Sequence, residues 1–317
     1  MSTGSTQSNL ASKQALTVVG SIAIDAIKTP FGEINEGLGG SATFFSAAAG
    51  LLCPVHVVAV LGEDFDLQDL AFLRERGVNL DGVEQRPGKT FRWKGAYGQD
   101  MNEAQTLATE LNVFQDFNPK LAQHHLNSPF LFLANIQPQL QLAVLEQVKE
   151  ARFVAADTMN LWINTARETL LEVLARVDLL VINETETRLL ADESNTVQAA
   201  KIVQSLGPKT VIVKRGEFGS LMLDGDTFFM APAYPVNQVL DPTGAGDTFA
   251  GGLMGTIARA GHVDAEVLRR GIITGTTLAS FTVERFSVER LKTLTLDEVQ
   301  QRYAHMQALT HFPPLAL

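Results

Sequence analysis

Six short apolar runs, rich in β-favouring residues, are each followed by a polar residue and then a helical pattern: LTVVGSIAID (16–25), VHVVAVLG (55–62), FLFLAN (130–135), RFVAAD (152–157), DLLVIN (178–183) and KTVIVK (209–214). Strands alternating with helices make βαβ units and hence a mainly parallel sheet. The runs are continuous in apolar character rather than alternating, which predicts helices on both faces of that sheet. Asp25, Asn135, Asp157, Asn183 and Lys214 stand where runs stop. Ligands of open α/β sheets bind beyond the carboxyl ends of the strands. Each of these residues alone also reads as a helix N-cap or turn former, but five together outline a site.

Two stretches break the rhythm. Gly88–Phe114 and Ile27–Gly40 carry Gly, Asp and Asn turn signals between short β-like segments. They predict a small β-sheet, either a lid over the strand ends with segments near 26–38 and 88–114, or a surface hairpin. Residues 1–14 are polar, small and aperiodic and read as a disordered tail, leaving 15–317 as one α/β domain.

Composition excludes several classes. Hydrophobic residues make up 45% and charged residues 19%, which suits a large buried core and not a disordered chain. A formal net charge of −10 without a basic patch argues against a nucleic-acid partner. No uninterrupted apolar stretch is long enough to cross a bilayer, and MSTGSTQSNLASKQ lacks the basic region and apolar core of a signal peptide. Cys53 is the single cysteine, so no intrachain disulfide forms. A cytoplasmic protein without a membrane partner is expected. Neither a Walker A string nor a GxSxG elbow occurs.

The string that bears most directly on chemistry is DPTGAGDTFAGG, Asp241–Gly252, followed by the helical pattern LMGTIARA. Gly244, Ala245 and Gly246 let backbone N–H groups converge where a helix starts, an anion hole suited to phosphate. Asp247 falls in or beside the first helical turn, where the helix dipole favours its ionised form, as a base accepting a hydroxyl proton requires. Taken alone, Gly-Asp-Thr before an apolar helix is also an ordinary capped start.

The full string resembles the C-terminal signature of the ribokinase-like (PfkB) carbohydrate kinases, and the resemblance runs over nearly the whole chain from about Leu16. It implies a ribokinase-like three-layer α/β sandwich with a β-sheet lid. The implied activity is transfer of the γ-phosphate of ATP, with Mg²⁺ and a monovalent cation such as K⁺, to a hydroxyl of a sugar or nucleoside. Asp247 is then the base, Gly244, Ala245 and Gly246 the anion hole, and Thr243 a neighbour of the nucleotide. Asn183-Glu184-Thr185-Glu186 matches the family's Asn-x-x-Glu element, with Glu186 organising the metal; Asn183 with Glu186 also has the spacing of a helix capping box. Lys214, Gly216 and Gly219 in KTVIVKRGEFGS match the nucleotide segment, where a plain hairpin turn explains the glycines equally well. Gly39, Gly40 and Asp25 match the residues that approach the acceptor. Asn135 and Asp157 fall where substrate is touched.

Departures from the family pattern bear on the acceptor. Phe44 stands where many members place Asn, which removes a polar contact. After Asp157-Thr158-Met159-Asn160 there is no early arginine of the kind that pairs with acidic ketosugars. Phe44, Phe91, Trp93 and Trp162 read either as an aromatic wall for a nucleobase or as core and lid packing. His124 and His125, with no carboxylate or cysteine at ligand spacing, read as a solvated pair. Gly37-Leu38-Gly39-Gly40-Ser41-Ala42 satisfies a loose dinucleotide fingerprint, but Pro30 and a dozen residues separate it from the first strand, which disfavours an NAD-dependent oxidoreductase. A sugar sensor without catalysis needs no base, against the intact GAGD. Both lid closure within one subunit and a homodimer through the lid are compatible with the resemblance.

Overall fold

The computed structural model describes residues 15–313 and 315; the stretch 1–14, read above as a tail, lies outside the described residues. The main sheet has nine strands in the order β13-β12-β11-β10-β9-β8-β1-β4-β5. Its parallel part comprises β1 (Leu16–Val19), β4 (Val55–Gly62), β5 (Asn79–Arg86), β8 (Phe130–Leu133), β9 (Phe153–Asp157), β10 (Leu179–Asn183) and β11 (Thr210–Lys214). The antiparallel strands β12 (Ser220–Asp224) and β13 (Thr227–Ala231) close one edge.

Alternate residues of these strands enter two separate cores. Leu16, Val18, Val57, Ala59 and Leu61 pack with the helices Ser41–Ala49, Ala245–Ala260 and Ala265–Thr282. Val19, Val58, Val60, Leu131 and Leu133 pack with Pro138–Gln147, Arg167–Leu174 and Thr196–Ser205. Burial on both faces is why the strands are continuously apolar, and the result is the three-layer α/β sandwich. Cys53 packs against the first core, and burial pushes its thiol up to about 12.

The run 16–25 does not form one strand. β1 ends at Val19, and after three residues the chain enters a second, four-stranded sheet as β2 (Ala23–Thr29), ordered β3-β2-β6-β7 with β3 (Gly32–Gly39), β6 (Arg92–Tyr97) and β7 (Ala104–Glu110). Only the β2–β6 pair is parallel there. Asp25 therefore projects from the root of the small sheet, not from the end of a main strand. Both segments that broke the βα rhythm supply this sheet. β5 was not read as a strand, since its polar and charged residues dilute the apolar signal, and neither was the largely apolar β12–β13 hairpin.

Small residues set where the Ala245–Ala260 helix begins. A Cβ at Gly251 would overlap the backbone of Phe45, and one at Gly252 would lie 2.8 Å from Cα of Gly275. The helix thus packs tightly between Ser41–Ala49 and Ala265–Thr282, its first turn facing Gly39 and Gly40. Among the described residues no helix is long and apolar enough to cross a membrane.

Candidate active site

Gly244 caps the helix Ala245–Ala260 in the left-handed region, with φ 75°. A side chain there would also overlap the buried ring of Phe44, which lies directly against it. Phe44 is thus the apolar floor of the glycine turn and not part of an exposed aromatic wall. The turn is held by Asp241, whose Oδ1 accepts from Thr243 N at 2.9 Å and whose Oδ2 accepts from Ser287 N at 3.0 Å. Ser287 in turn donates to Leu38 O at the end of β3. Asp241 and Ser287 were not singled out as site residues in the sequence; their link spans 46 residues and exists only in the fold.

Asp247 sits in the first turn of the same helix. It keeps some accessible surface but is enclosed on most sides, and that enclosure, reinforced by the charge of Asp157, pushes its carboxyl up to about 7 against the opposing pull of Lys214. Lys214, at the end of β11, places Nζ 3.2 Å from Asp157 Oδ2 and 2.9 Å from where a Cβ on Gly246 would stand. Burial works against its charge, but Asp157, Glu186 and Asp247 outweigh burial and hold the lysine above its ordinary range. The sequence reading has Lys214 approach the phosphates or ribose of the nucleotide as a point charge; in the fold its Nζ lies beside Gly246 of the glycine turn and is paired with Asp157.

Asp25 is buried, and it is driven up to about 8 by that burial, then by the charges of Asp241 and Asp247, with the Gly40 N–H opposing. A Cβ at Gly39 would overlap this carboxylate, and one at Gly40 would overlap the backbone of Ser21 through Ala23. The glycine pair is what lets the acidic group sit against the start of the Ser41–Ala49 helix. Asp25, from the small sheet, and Asp247, from the first turn of the helix Ala245–Ala260, thus come close enough for the charge of Asp247 to act on Asp25.

On the β9–β10 side, Asn183 and Glu186 form the capping box: Asn183 Oδ1 accepts from Glu186 N at 2.8 Å, and Glu186 Oε2 accepts from Asn183 N at 3.1 Å. Capping leaves Glu186 buried, and burial followed by the Asp157 charge pushes it up to about 7. Cap and acidic cluster therefore coexist in one residue. Gln141 bonds the carbonyls of Ala134 and Asp157, each at 3.0 Å, and locks the ends of β8 and β9 together. Asn135 accepts from Trp162 Nε1 at 2.9 Å, so its side chain positions that indole.

Gly216 and Gly219, both at positive φ, turn the chain from β11 into β12, with Arg215 N bonding Gly219 O at 2.8 Å. A Cβ on Gly219 would overlap Ala231 O, and one on Gly216 would overlap the side chain of Asn102. Asn102 belongs to the turn between β6 and β7, so the small sheet reaches this turn. It makes two further contacts with the main body: Glu103 accepts from Thr185 Oγ1 at 2.5 Å, and the Thr243 hydroxyl lies 3.2 Å from the Tyr97 hydroxyl. Tyr97 went unnoticed in the sequence, where nothing marks it apart from any strand tyrosine. Trp93 is two positions before Gly95 and four before Tyr97 on one face of β6, in register with Asp25. Its ring lies over Gly95, where a Cβ would overlap it. Phe91 packs toward the second core instead, beside Phe114.

A parallel sheet whose carboxyl ends gather a glycine-capped helix start, a buried lysine and several carboxylates is built to handle an anion. The model of the pfkB family carbohydrate kinases matches residues 13–293, and the chain belongs to that family. It is accordingly a sugar or nucleoside kinase, a phosphotransferase with a hydroxyl acceptor. Its similarity to the cytidine kinase of Thermococcus kodakarensis is 30% identity over 81% of this chain and 93% of that protein. Among solved structures, a putative ribokinase II from E. coli in complex with ATP and Mg²⁺ superposes with a TM-score of 0.73 at 21% identity, covering 92% of this chain and 99% of that one. The nucleoside kinase of Methanocaldococcus jannaschii superposes with a TM-score of 0.71 at 20% identity, covering 92% and 98%.

Proposed function

We propose that the chain is an ATP-dependent nucleoside kinase in which Asp247 takes the proton from the acceptor hydroxyl. The observation that carries this reading is the joint placement of Asp247 and Asp25: a carboxylate poised near 7 at a helix start, and a second carboxylate facing it from the small sheet. A base is most effective when its pKa lies near the working pH. The backbone N–H groups of 244–246 receive the transferring phosphoryl group, with charge spread over its oxygens stabilised by fixed donors. Lys214, anchored by Asp157, keeps Asp247 ionisable and adds positive charge beside the glycine turn.

Asp25 grips acceptor hydroxyls, since a carboxyl group offers hydrogen-bonding sites on both oxygens to neighbouring hydroxyls of a pentose, as acceptor when ionised and as donor and acceptor when protonated. The Trp93 indole, laid over Gly95 on the face that Asp25 shares, offers a stacking surface for a base. Likeness to a cytidine kinase along most of both chains supports a nucleoside over a free sugar. Thr243 and the Gly216–Gly219 turn line the nucleotide side.

The carboxylates of Asp157 and Glu186 are hard oxygen donors gathered at two strand ends, a set that fits Mg²⁺. Magnesium held near them supplies charge neutralisation for the phosphates and holds the carboxylates ionised.

The test is Mg·ATP consumption across pyrimidine and purine nucleosides, free pentoses and hexoses, with Asp247→Asn as control. A nucleoside-dependent signal that vanishes in Asp247→Asn is expected. A signal with free sugars alone overturns the nucleoside assignment, and near-normal turnover of Asp247→Asn overturns the base.

A further inference from the structure

At the opposite, amino-terminal ends of the sheet, three imidazoles converge that the phosphoryl-transfer site does not use. His56 is the second residue of β4, in register with Thr17 of β1 and Asn79 of β5. His124 and His125 lie in the short helix Gln123–Leu126 that precedes β8. Ring centroids are 3.9 Å apart for His124 and His125, 5.1 Å for His56 and His124, and 5.8 Å for His56 and His125. One nitrogen from each ring lies within 4.8 Å of the others. The solvated pair read from the sequence is in the fold part of a trio in which only His124 is exposed: His125 is 2% exposed, and the third ring arrives from a strand some seventy residues earlier through β1–β4 pairing.

We propose that His56, His124 and His125 bind a transition-metal ion of the zinc class at a site separate from the kinase centre. Two of the rings carry a buried nitrogen without a hydrogen-bond partner, Nδ1 of His56 and Nε2 of His125. Buried polar atoms are nearly always satisfied, and an orphan in a native fold calls for an explanation such as an ion. Imidazole nitrogen suits zinc, nickel and copper, whereas magnesium takes oxygen, so the site does not compete for the metal of the nucleotide. Ligation needs the neutral ring. Burial and the neighbouring imidazoles push both His56 and His125 below the ordinary histidine range, with Asp81 opposing in both. His124 is exposed and leaves an entry path.

One local bond must yield. The Ala122 N–H donates to His125 Nδ1 at 3.1 Å, which leaves the proton on Nε2. A ring that ligates through Nε2 carries its proton on Nδ1, so loading gives up the Ala122 bond, and the four-residue helix is the element that adjusts. A single backbone hydrogen bond is exchanged for a coordinate bond.

The experiment is a Co²⁺ titration of the metal-free full-length chain, followed by visible absorption and by bound metal per chain, with Zn²⁺ as competitor. His124→Ala removes an exposed ring, and His262→Ala removes an exposed histidine elsewhere; kinase turnover with Mg·ATP checks that each variant is folded. One ion per chain with the absorption of a low-coordinate Co²⁺ site is expected in the unaltered protein and in His262→Ala, displaced by Zn²⁺. In His124→Ala affinity falls by about 100-fold or more, since loss even of groups that only orient a ligand costs 10–100-fold. No stoichiometric uptake by the unaltered chain, or equal uptake by His124→Ala, overturns the proposal. His56→Asn repeats the comparison from the strand side and must lose binding as His124→Ala does.

Discussion

As the proposed base Asp247 must be ionised, and its surroundings pull both ways: enclosure and Asp157 favour the proton, Lys214 opposes it. The acidic limb of kcat/KM is therefore expected near pH 7, with activity lost as pH falls through it. Lys214→Gln removes the opposing charge, so the limb moves to higher pH; a pH–rate profile of the two proteins checks this, and an unmoved limb rejects the coupling. Asp247→Asn lowers kcat by about 10²–10⁴-fold, the usual worth of a positioned base, while ATP affinity measured by calorimetry stays within a few-fold. Phe44 shows how one position escapes sequence reasoning. Its departure from the family pattern was visible, but only the overlap with Gly244 tells that the ring supports the glycine turn from below.

Among the contacts of the small sheet with the main body are those of Tyr97 with Thr243, Asn102 with Glu217 and Glu103 with Thr185, on segments proposed to face the nucleotide. Tyr97→Phe deletes one neutral hydrogen bond of the ligand-free fold, worth about 0.5–1.5 kcal/mol of stability, so a modest fall in Tm is expected in thermal melts of the two proteins, and an unchanged Tm rejects the bond as a brace of the small sheet. Gly39→Ala forces the Asp25 carboxylate from its place. Acceptor KM should rise steeply while ATP binding, which engages other segments, persists; equal loss of both points to misfolding of the β3 end instead. The main parallel strands were legible because burial on both faces makes them continuously apolar. β5 was not, since its outer residues are polar, face solvent and dilute that pattern. The break between β1 and β2 inside one apolar run was equally hidden, because Gly20–Ile22 stay buried as the chain passes between sheets.

For the molecule as a whole, three carboxylates at the recess bind protons more tightly folded than unfolded: Asp25 near 8, Asp247 and Glu186 near 7. Their contribution to stability is complete below their unfolded values, about 4, and is lost as pH rises through about 7 to 8. Tm of the ligand-free chain should thus be higher at about pH 6.5 than at about pH 8. Asp25→Asn should raise Tm at the higher pH and flatten the difference, while weakening acceptor binding. A Tm that climbs from pH 6.5 to 8 in the unaltered chain contradicts this.

The sequence by itself determined the α/β class, the family, the glycine-started helix with Asp247 and the capping pair Asn183–Glu186, because strand burial, helix starts and turns are written in residues close together along the chain. Tertiary structure alone decided that Lys214 lies beside Asp157, that Asp25 comes from the small sheet, that Ser287 braces Asp241, and that His56 joins His124 and His125. These are contacts between segments far apart in sequence, and no local pattern encodes a distance that only the packed sheets create.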